Sequence, residues 1–282
     1  MNRRRWIPLV LTALAALVGA PAAAADSTES SNWAGYAVHG SGVHFTSVSG
    51  TWTQPRATCT PGQATYSAAW VGLGGYSLTS PALEQIGTES DCTASGRAVS
   101  SAWYELVPAA SRAIKMTVNA GDRMRAKVTV ENHEVTLTLA DLTRHRSFTK
   151  RLHPATVDAT SAEWILEAPS VCTSATSCHT LPLADFGSTG FTAATATTTT
   201  GHRGTIADRR WKTTKISLAS GGRTFVSDAP ASSGGADPSS LSSRGSAFTV
   251  TYRGGVGSST PVPIQTAFVA GDRLVHPALT TR

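Results

Sequence analysis

Apolar and polar residues alternate along much of the chain with a period of two. Between Met124 and Asp141, the residues Met124, Ala126, Val128 and Val130 alternate with polar or charged neighbours, and so do Val135, Leu137 and Leu139. Side chains two apart share one face of a strand, so these runs predict two half-buried strands, and Asn132 and His133 between them predict a tight hairpin turn. Similar alternation runs from Val43 to Gln54, ended by Pro55, and from Ala247 to Tyr252. The Thr192–Gly201 stretch reads either as a Thr-rich strand or as a low-complexity loop. Ala231–Gly245, dominated by Ser and Gly, reads as an exposed loop inserted before the last core strand. Helical periodicity is scarce, and no internal repeat is visible. Many short strands separated by turn residues imply an all-β protein, an antiparallel β-sandwich or barrel formed by one domain.

The first 25 residues change the picture of charge and location. A basic start (Arg3, Arg4, Arg5), an apolar stretch from Trp6 to Ala20 and an alanine run ending at Ala25 form a secretory signal peptide with an A-x-A cleavage site. Cleavage there leaves 257 of the 282 residues, and loss of the three arginines lowers the formal charge from +6 to +3. Nucleic-acid binding thereby loses its main support; Arg209, Arg210, Lys212 and Lys215 read as a solvated basic face. No later segment is apolar for long enough to span a bilayer. An exported chain with four cysteines favours two disulfides, for which three pairings exist. The short spacing of Cys172 and Cys178 makes a small stapled loop the simplest choice, which leaves Cys59 with Cys92.

The candidate chemistry starts with what is missing. There is no H-E-x-x-H, no G-x-S-x-G and no pair of D-T/S-G segments, so neither a zinc protease, an α/β-hydrolase nor an aspartic protease is signalled. What remains are carboxylates and amides in aromatic, glycine-punctuated segments: A-A-W-V-G-L-G-G (68–75), L-E-Q-I-G (83–87), A-W-Y-E-L-V-P (102–108) and A-E-W-I-L-E-A-P (162–169). On a strand, Glu163 and Glu167 share a face but lie about 13 Å apart, too far for shared chemistry, with Trp164 and Leu166 on the opposite face.

With S-S-N-W-A-G-Y (30–36) and S-G-T-W-T-Q-P (49–55) before them and L-P-L-A-D-F (181–186) after, these segments occur in an order that resembles the glutamic peptidases, or eqolisins. The resemblance covers most of the mature chain. It implies a lectin-like sandwich of two large bent antiparallel sheets with a substrate groove on one sheet face. It implies a secreted, monomeric endopeptidase acting on protein or peptide substrates, without cofactor or metal. Its catalytic pair maps onto Gln85, in L-E-Q-I-G, and Glu167, the second acid of A-E-W-I-L-E. Trp70, Trp103 and Glu105 follow as substrate-binding candidates beside the groove. The residue types suit the chemistry: a carboxylate takes a proton from the attacking water and returns it to the leaving nitrogen, and an amide N–H stabilises the oxyanion. A free Glu titrates near ~4.3, which suits acid conditions. If Gln85 faces the groove, Glu84 points away from it.

Two departures stand out. Gly74 replaces an acid common in fungal members, and only Asp26 to Ser30 precede the similarity, leaving no room for a long inhibitory propeptide. Two other functions use the same residues. A non-catalytic lectin-like sandwich would bind glycan or peptide through Trp70 and Trp103. A glycosidase would pair Glu105 with Glu167, without support from motif order.

Overall fold

The computed structural model describes residues 25–77, 79–174, 177–219 and 234–254; of residues 172–174 and 177–178 only the backbone is described. The expected signal peptide, apart from Ala25, and the C-terminal segment 256–282 lie outside the described residues.

The strands are β1 (Asp26–Ser30), β2 (Trp33–His39), β3 (Phe45–Thr53), β4 (Ala68–Gly74), β5 (Leu83–Cys92), β6 (Ala98–Val107) and β7 (Arg112–Ile114), then β8 (Arg123–Glu131), β9 (Glu134–Asp141), β10 (Arg146–Leu152), β11 (Ser161–Glu167), β12 (Ser170–Ser174) and β13 (Ser177–Thr180), and last β14 (Ser188–Thr198), β15 (Arg203–Thr205), β16 (Lys212–Leu218), β17 (Gly235–Pro238) and β18 (Phe248–Arg253). Among the described residues the only helical turn is a 3-10 turn at Ser243–Gly245. None forms a helix able to cross a membrane.

The period-two segments become the strands expected of them. Asn132 and His133 both adopt positive φ, 49° and 61°, as a two-residue turn between β8 and β9 demands. Thr192–Thr198 belongs to β14, so the strand reading of the Thr-rich stretch holds.

Sixteen strands join in one hydrogen-bonded sheet in the order β10-β9-β8-β3-β14-β18-β17-β16-β2-β11-β4-β5-β6-β7, with β1 added to β16 and β15 to β14. The sheet folds over into two packed layers. Val48, Trp52, Met124 and Val128 from one layer meet Val71, Ile86 and Trp164 from the other in the main core. Two tryptophans latch the layers: Trp52 Nε1 donates to Thr88 Oγ1 (2.9 Å), and Trp164 Nε1 donates to the Ser49 carbonyl (2.8 Å).

The sandwich is as expected, but its layers are continuous through a seam at Leu218 and Ala236, the single residue pair between β16 and β17. Strand β17 lies inside 231–245, the segment expected to be a loop. Its Gly and Pro content hides it, yet Ala236 and Pro238 are buried, and the strand pairs with β18 over four residues. Pro238 closes it at the end of the strand, where the missing N–H is tolerated.

Cys59 and Cys92 form a disulfide. The expected Cys172–Cys178 bridge lies outside the described side chains; the backbone sets the two residues opposite each other across β12 and β13.

Candidate active site

In the layer β16-β2-β11-β4-β5-β6, every second residue faces away from the main core. These positions form a second apolar cluster of Trp33, Ala37, Ala68, Trp70, Leu83, Trp103, Val107, Ile165 and Ile216, against which Tyr76 packs. Strand register arranges this outer face in rows. One row runs Ala37, Glu163, Gly72, Gln85, Glu105; the next Gly35, Ile165, Trp70, Gly87, Trp103; the next Trp33, Glu167, Ala68, Glu89, Ser101. Gln85, Trp70 and Glu167 therefore lie on one diagonal, on three adjacent strands, with Trp70 in the middle. Glu84 faces the main core in a row with Leu73, Ala162 and Leu106, as the alternation requires.

Glu167 is buried and held at both carboxylate oxygens. Trp70 Nε1–H donates to Oε2 (2.8 Å), and Asn32 Nδ2–H donates to Oε1 (3.2 Å). The Asn32 amide is itself oriented, because the Ser30 hydroxyl donates to its Oδ1 (3.0 Å). That hydroxyl also accepts from the backbone N–H of Trp33 (3.0 Å), which ties the turn between β1 and β2 to the carboxylate. Trp33 packs edge-on against Trp70, ring centroids 5.1 Å apart, and so fixes the donating indole. Gly87 makes the Trp70 position possible: a Cβ there would lie 2.6 Å from Trp70 Cβ and 2.3 Å from the Ala69 carbonyl oxygen.

Gln85 is buried two strands away, and its Nε2–H donates to Glu105 Oε2 (2.8 Å). The amide nitrogen of Gln85 is thus the end turned toward Glu105.

Two other carboxyls behave differently. Burial pushes Glu84 and Glu163 well above the ordinary carboxylate value, and the nearby Asp158 charge adds to both shifts. The backbone at Asp158 opposes the burial at Glu84, as does the Ser161 hydroxyl at Glu163. Neither carboxyl makes a hydrogen bond of full geometry. Both are uncharged acids over a wider pH range than a solvated Glu.

The layout separates the sequence candidates. Gln85 with Glu105, and Glu167 with Trp70, form two hydrogen-bonded pairs on one face, and Trp103 lies in the Trp70 row across Gly87. Glu105 and Glu167 are three strands apart laterally and four residues apart along the strands, roughly 14 Å by 13 Å. That is wider than a two-carboxylate glycosidase site allows. Sequence reasoning gave no role to Asn32, although it lies inside S-S-N-W-A-G-Y. It also missed that Glu163 shares a row with Gln85, which depends on the register of β11 on β4. Among the described residues, no group of three or more His, Cys, Asp or Glu is placed to hold a metal ion.

Glu167 and Gln85 thus share one face of an antiparallel β-sandwich, the first held by Trp70 and Asn32 and the second by Glu105. The sequence profile described as the peptidase A4 family matches residues 31–234, and the chain belongs to that family, whose class is glutamic endopeptidase. Scytalido-glutamic peptidase, solved with a peptide-based transition-state analog, is similar at 25% identity with a TM-score of 0.61, over 78% of this chain and 98% of that one. Aspergilloglutamic peptidase from Aspergillus niger is 28% identical with a TM-score of 0.51, over 67% of this chain and 99% of that one. The eqolisin SCP-B, in complex with the tripeptide Ala-Ile-His, shares the fold at 24% identity and a TM-score of 0.58, over 78% and 98%. No curated protein matches the chain in sequence.

Proposed function

We propose that the protein is a secreted endopeptidase that hydrolyses peptide bonds of protein and peptide substrates at acidic pH, with Glu167 as general base and Gln85 as oxyanion donor. The observation that carries this reading is the Glu167 carboxylate, buried yet held from two sides by Trp70 and Asn32 on the face that also bears Gln85. A flat sheet would set the Cα atoms of Gln85 and Glu167 ~16 Å apart. A water and a substrate peptide unit lying over Trp70 would fill that span.

In the first step Glu167 accepts a proton from water as its oxygen attacks the scissile carbonyl carbon. The carbonyl π electrons move to oxygen, and the Gln85 side-chain amide donates to the resulting oxyanion. In the second step the oxyanion reforms the carbonyl, the C–N bond breaks and Glu167–H gives its proton to the departing nitrogen. Glu167 thereby returns to its starting state. Both groups are shielded from bulk water, so the dipoles around them act in a low dielectric.

The test is digestion of a denatured protein at acidic pH by wild type, Glu167→Gln and Gln85→Ala, with melting temperatures measured in parallel. Both variants are expected to lose cleavage while staying folded. Activity retained in either one sinks the assignment of that residue, and fragments released by both sink the mechanism.

A further inference from the structure

A cavity of about 560 Å³ opens at the end of β4 and β11, where His39, Tyr76, Ser80, Asp158 and Ser161 line it. His39 and Ser161 lie on the same sheet face as Gln85, two residues beyond Ala37 and Glu163, so the cavity begins about 7 Å from the Gln85 row. Asp158 is the carboxylate in its wall, 6% exposed. It reaches this position because residue 74 is glycine. At φ +80°, a Cβ on Gly74 would stand 2.6 Å from the Asp158 carbonyl oxygen and 2.8 Å from Asp158 Cβ.

We propose that this cavity is a specificity subsite that receives a positively charged side chain of the peptide substrate, Lys or Arg, with Asp158 as the recognising carboxylate. The proposal rests on the peptidase reading and deepens it by naming a substrate class. Two further carboxyls, Glu84 and Glu163, lie near this end of the sheet without lining the cavity. Glu84 and Glu163 are buried without a hydrogen bond of full geometry and are driven toward the neutral acid. Asp158 has donors: the Ser80 hydroxyl bonds Oδ2, and the Thr160 backbone N–H donates to Oδ1 (2.9 Å). Among the described residues that line the cavity, Asp158 is the one acidic side chain.

Two aromatic residues of the lining suit the stem of a long cationic side chain. His39 stacks on Tyr76 with centroids 4.5 Å apart, and both rings bond the Thr214 hydroxyl, His39 through Nε2 (3.0 Å) and Tyr76 through its OH (3.1 Å). An aromatic face takes the methylenes of Lys or the plane of Arg. Burial and the Lys212 charge hold the His39 ring below its ordinary value, with Asp26 opposing, so the ring stays neutral further toward acid than a solvated His. An apolar substrate side chain here would strip water from Asp158 without supplying a counter-charge, and an acidic one would be repelled.

Peptides identical except for Lys, Arg, Gln, Leu or Glu at successive positions around the cleaved bond read this out. One position is expected to favour Lys and Arg over Leu in kcat/KM by roughly tenfold, and Asp158→Asn to bring the ratio to within about twofold. A wild-type profile with no basic preference overturns the subsite, and so does a preference that survives Asp158→Asn in folded protein. Asn keeps an acceptor for the Thr160 N–H; should that variant not fold, the wild-type profile decides alone. If wild type cleaves none of the peptides, the peptidase reading falls separately. The pocket is then judged by equilibrium titration of a Lys peptide against its Leu counterpart, where equal affinities overturn it.

Discussion

Replacing Glu105 by Leu removes a buried hydrogen bond that orients the Gln85 amide. The bond is short, 2.8 Å, buried, and made to a carboxylate. Hydrogen bonds to charged groups contribute about 1.5–3 kcal/mol, against about 0.5–1.5 for neutral ones. If the oriented amide acts only on the developing oxyanion, its preorganisation is lost from the transition state and not from substrate binding. At ~1.36 kcal/mol per factor of ten, the cost is about 10- to 150-fold in kcat with KM little changed. Glu105→Gln keeps an oxygen that can accept from Gln85 Nε2, so it is expected to recover most of this, ending within roughly tenfold of wild type. Steady-state cleavage of one synthetic peptide by wild type, Glu105→Leu, Glu105→Gln and Gln85→Ala separates the cases, with melting temperature as the control for folding. A folded Glu105→Leu protein with kcat within twofold of wild type refutes the positioning role. An effect confined to KM would make Glu105 a substrate contact instead.

Glu84 and Glu163 bind their protons more tightly folded than unfolded, so their stabilising contribution is complete below the ordinary carboxylate value of 4.5 and is lost as pH rises through their raised folded values. The melting temperature should therefore fall from acid toward neutral pH, and more shallowly in Glu84→Gln and Glu163→Gln; a profile that is flat, or rises with pH, contradicts this. Gly87→Ala puts a methyl against the Ala69 carbonyl and Trp70 Cβ, so a loss of about 1–3 kcal/mol in chemical denaturation is expected, with peptidase activity falling alongside; unchanged denaturation would mean the strands part without cost. The Cys59–Cys92 disulfide closes a loop with a sequence separation of 33, which corresponds to about 3–4 kcal/mol from the unfolded chain. Reduction should lower the melting temperature by roughly 10 °C, and an unchanged value would show that the bridge does not constrain the unfolded state.

The parts of the fold that the sequence displays are those with one wet face. Strands β8 and β9 show burial at every second residue, so their alternation can be read directly. The strands that carry the site cannot be read that way, because β4 and β11 are buried at every position. Glu84 and Glu163 are carboxyls in places where a period-two reading expects apolar side chains. Motif order made Gln85 and Glu167 visible, but their partners depend on register. That Glu105 sits opposite Gln85 follows from the β5–β6 ladder, and that Trp70 turns its indole N–H to Glu167 follows from β11 lying beside β4. Neither pairing is written in a local pattern. Strand β17 was concealed for the opposite reason, since Gly-Ala-Asp-Pro has turn composition and becomes a strand only through β18.

The position of β11 between β2 and β4 bears on when the molecule becomes competent. Asn32 and Glu167, joined by one hydrogen bond, are 135 residues apart in the chain, and β4, β5 and β6 are all made before β11 emerges. Long-range strand pairing of this kind folds slowly, because loop closure must be overcome before the contacts form. Until β11 inserts, Trp70 has no carboxylate to hold and the acid has no donors. Peptidase activity should therefore be the last property to appear on refolding, after bulk strand content, and a fragment ending before Ser161 would be incapable of it.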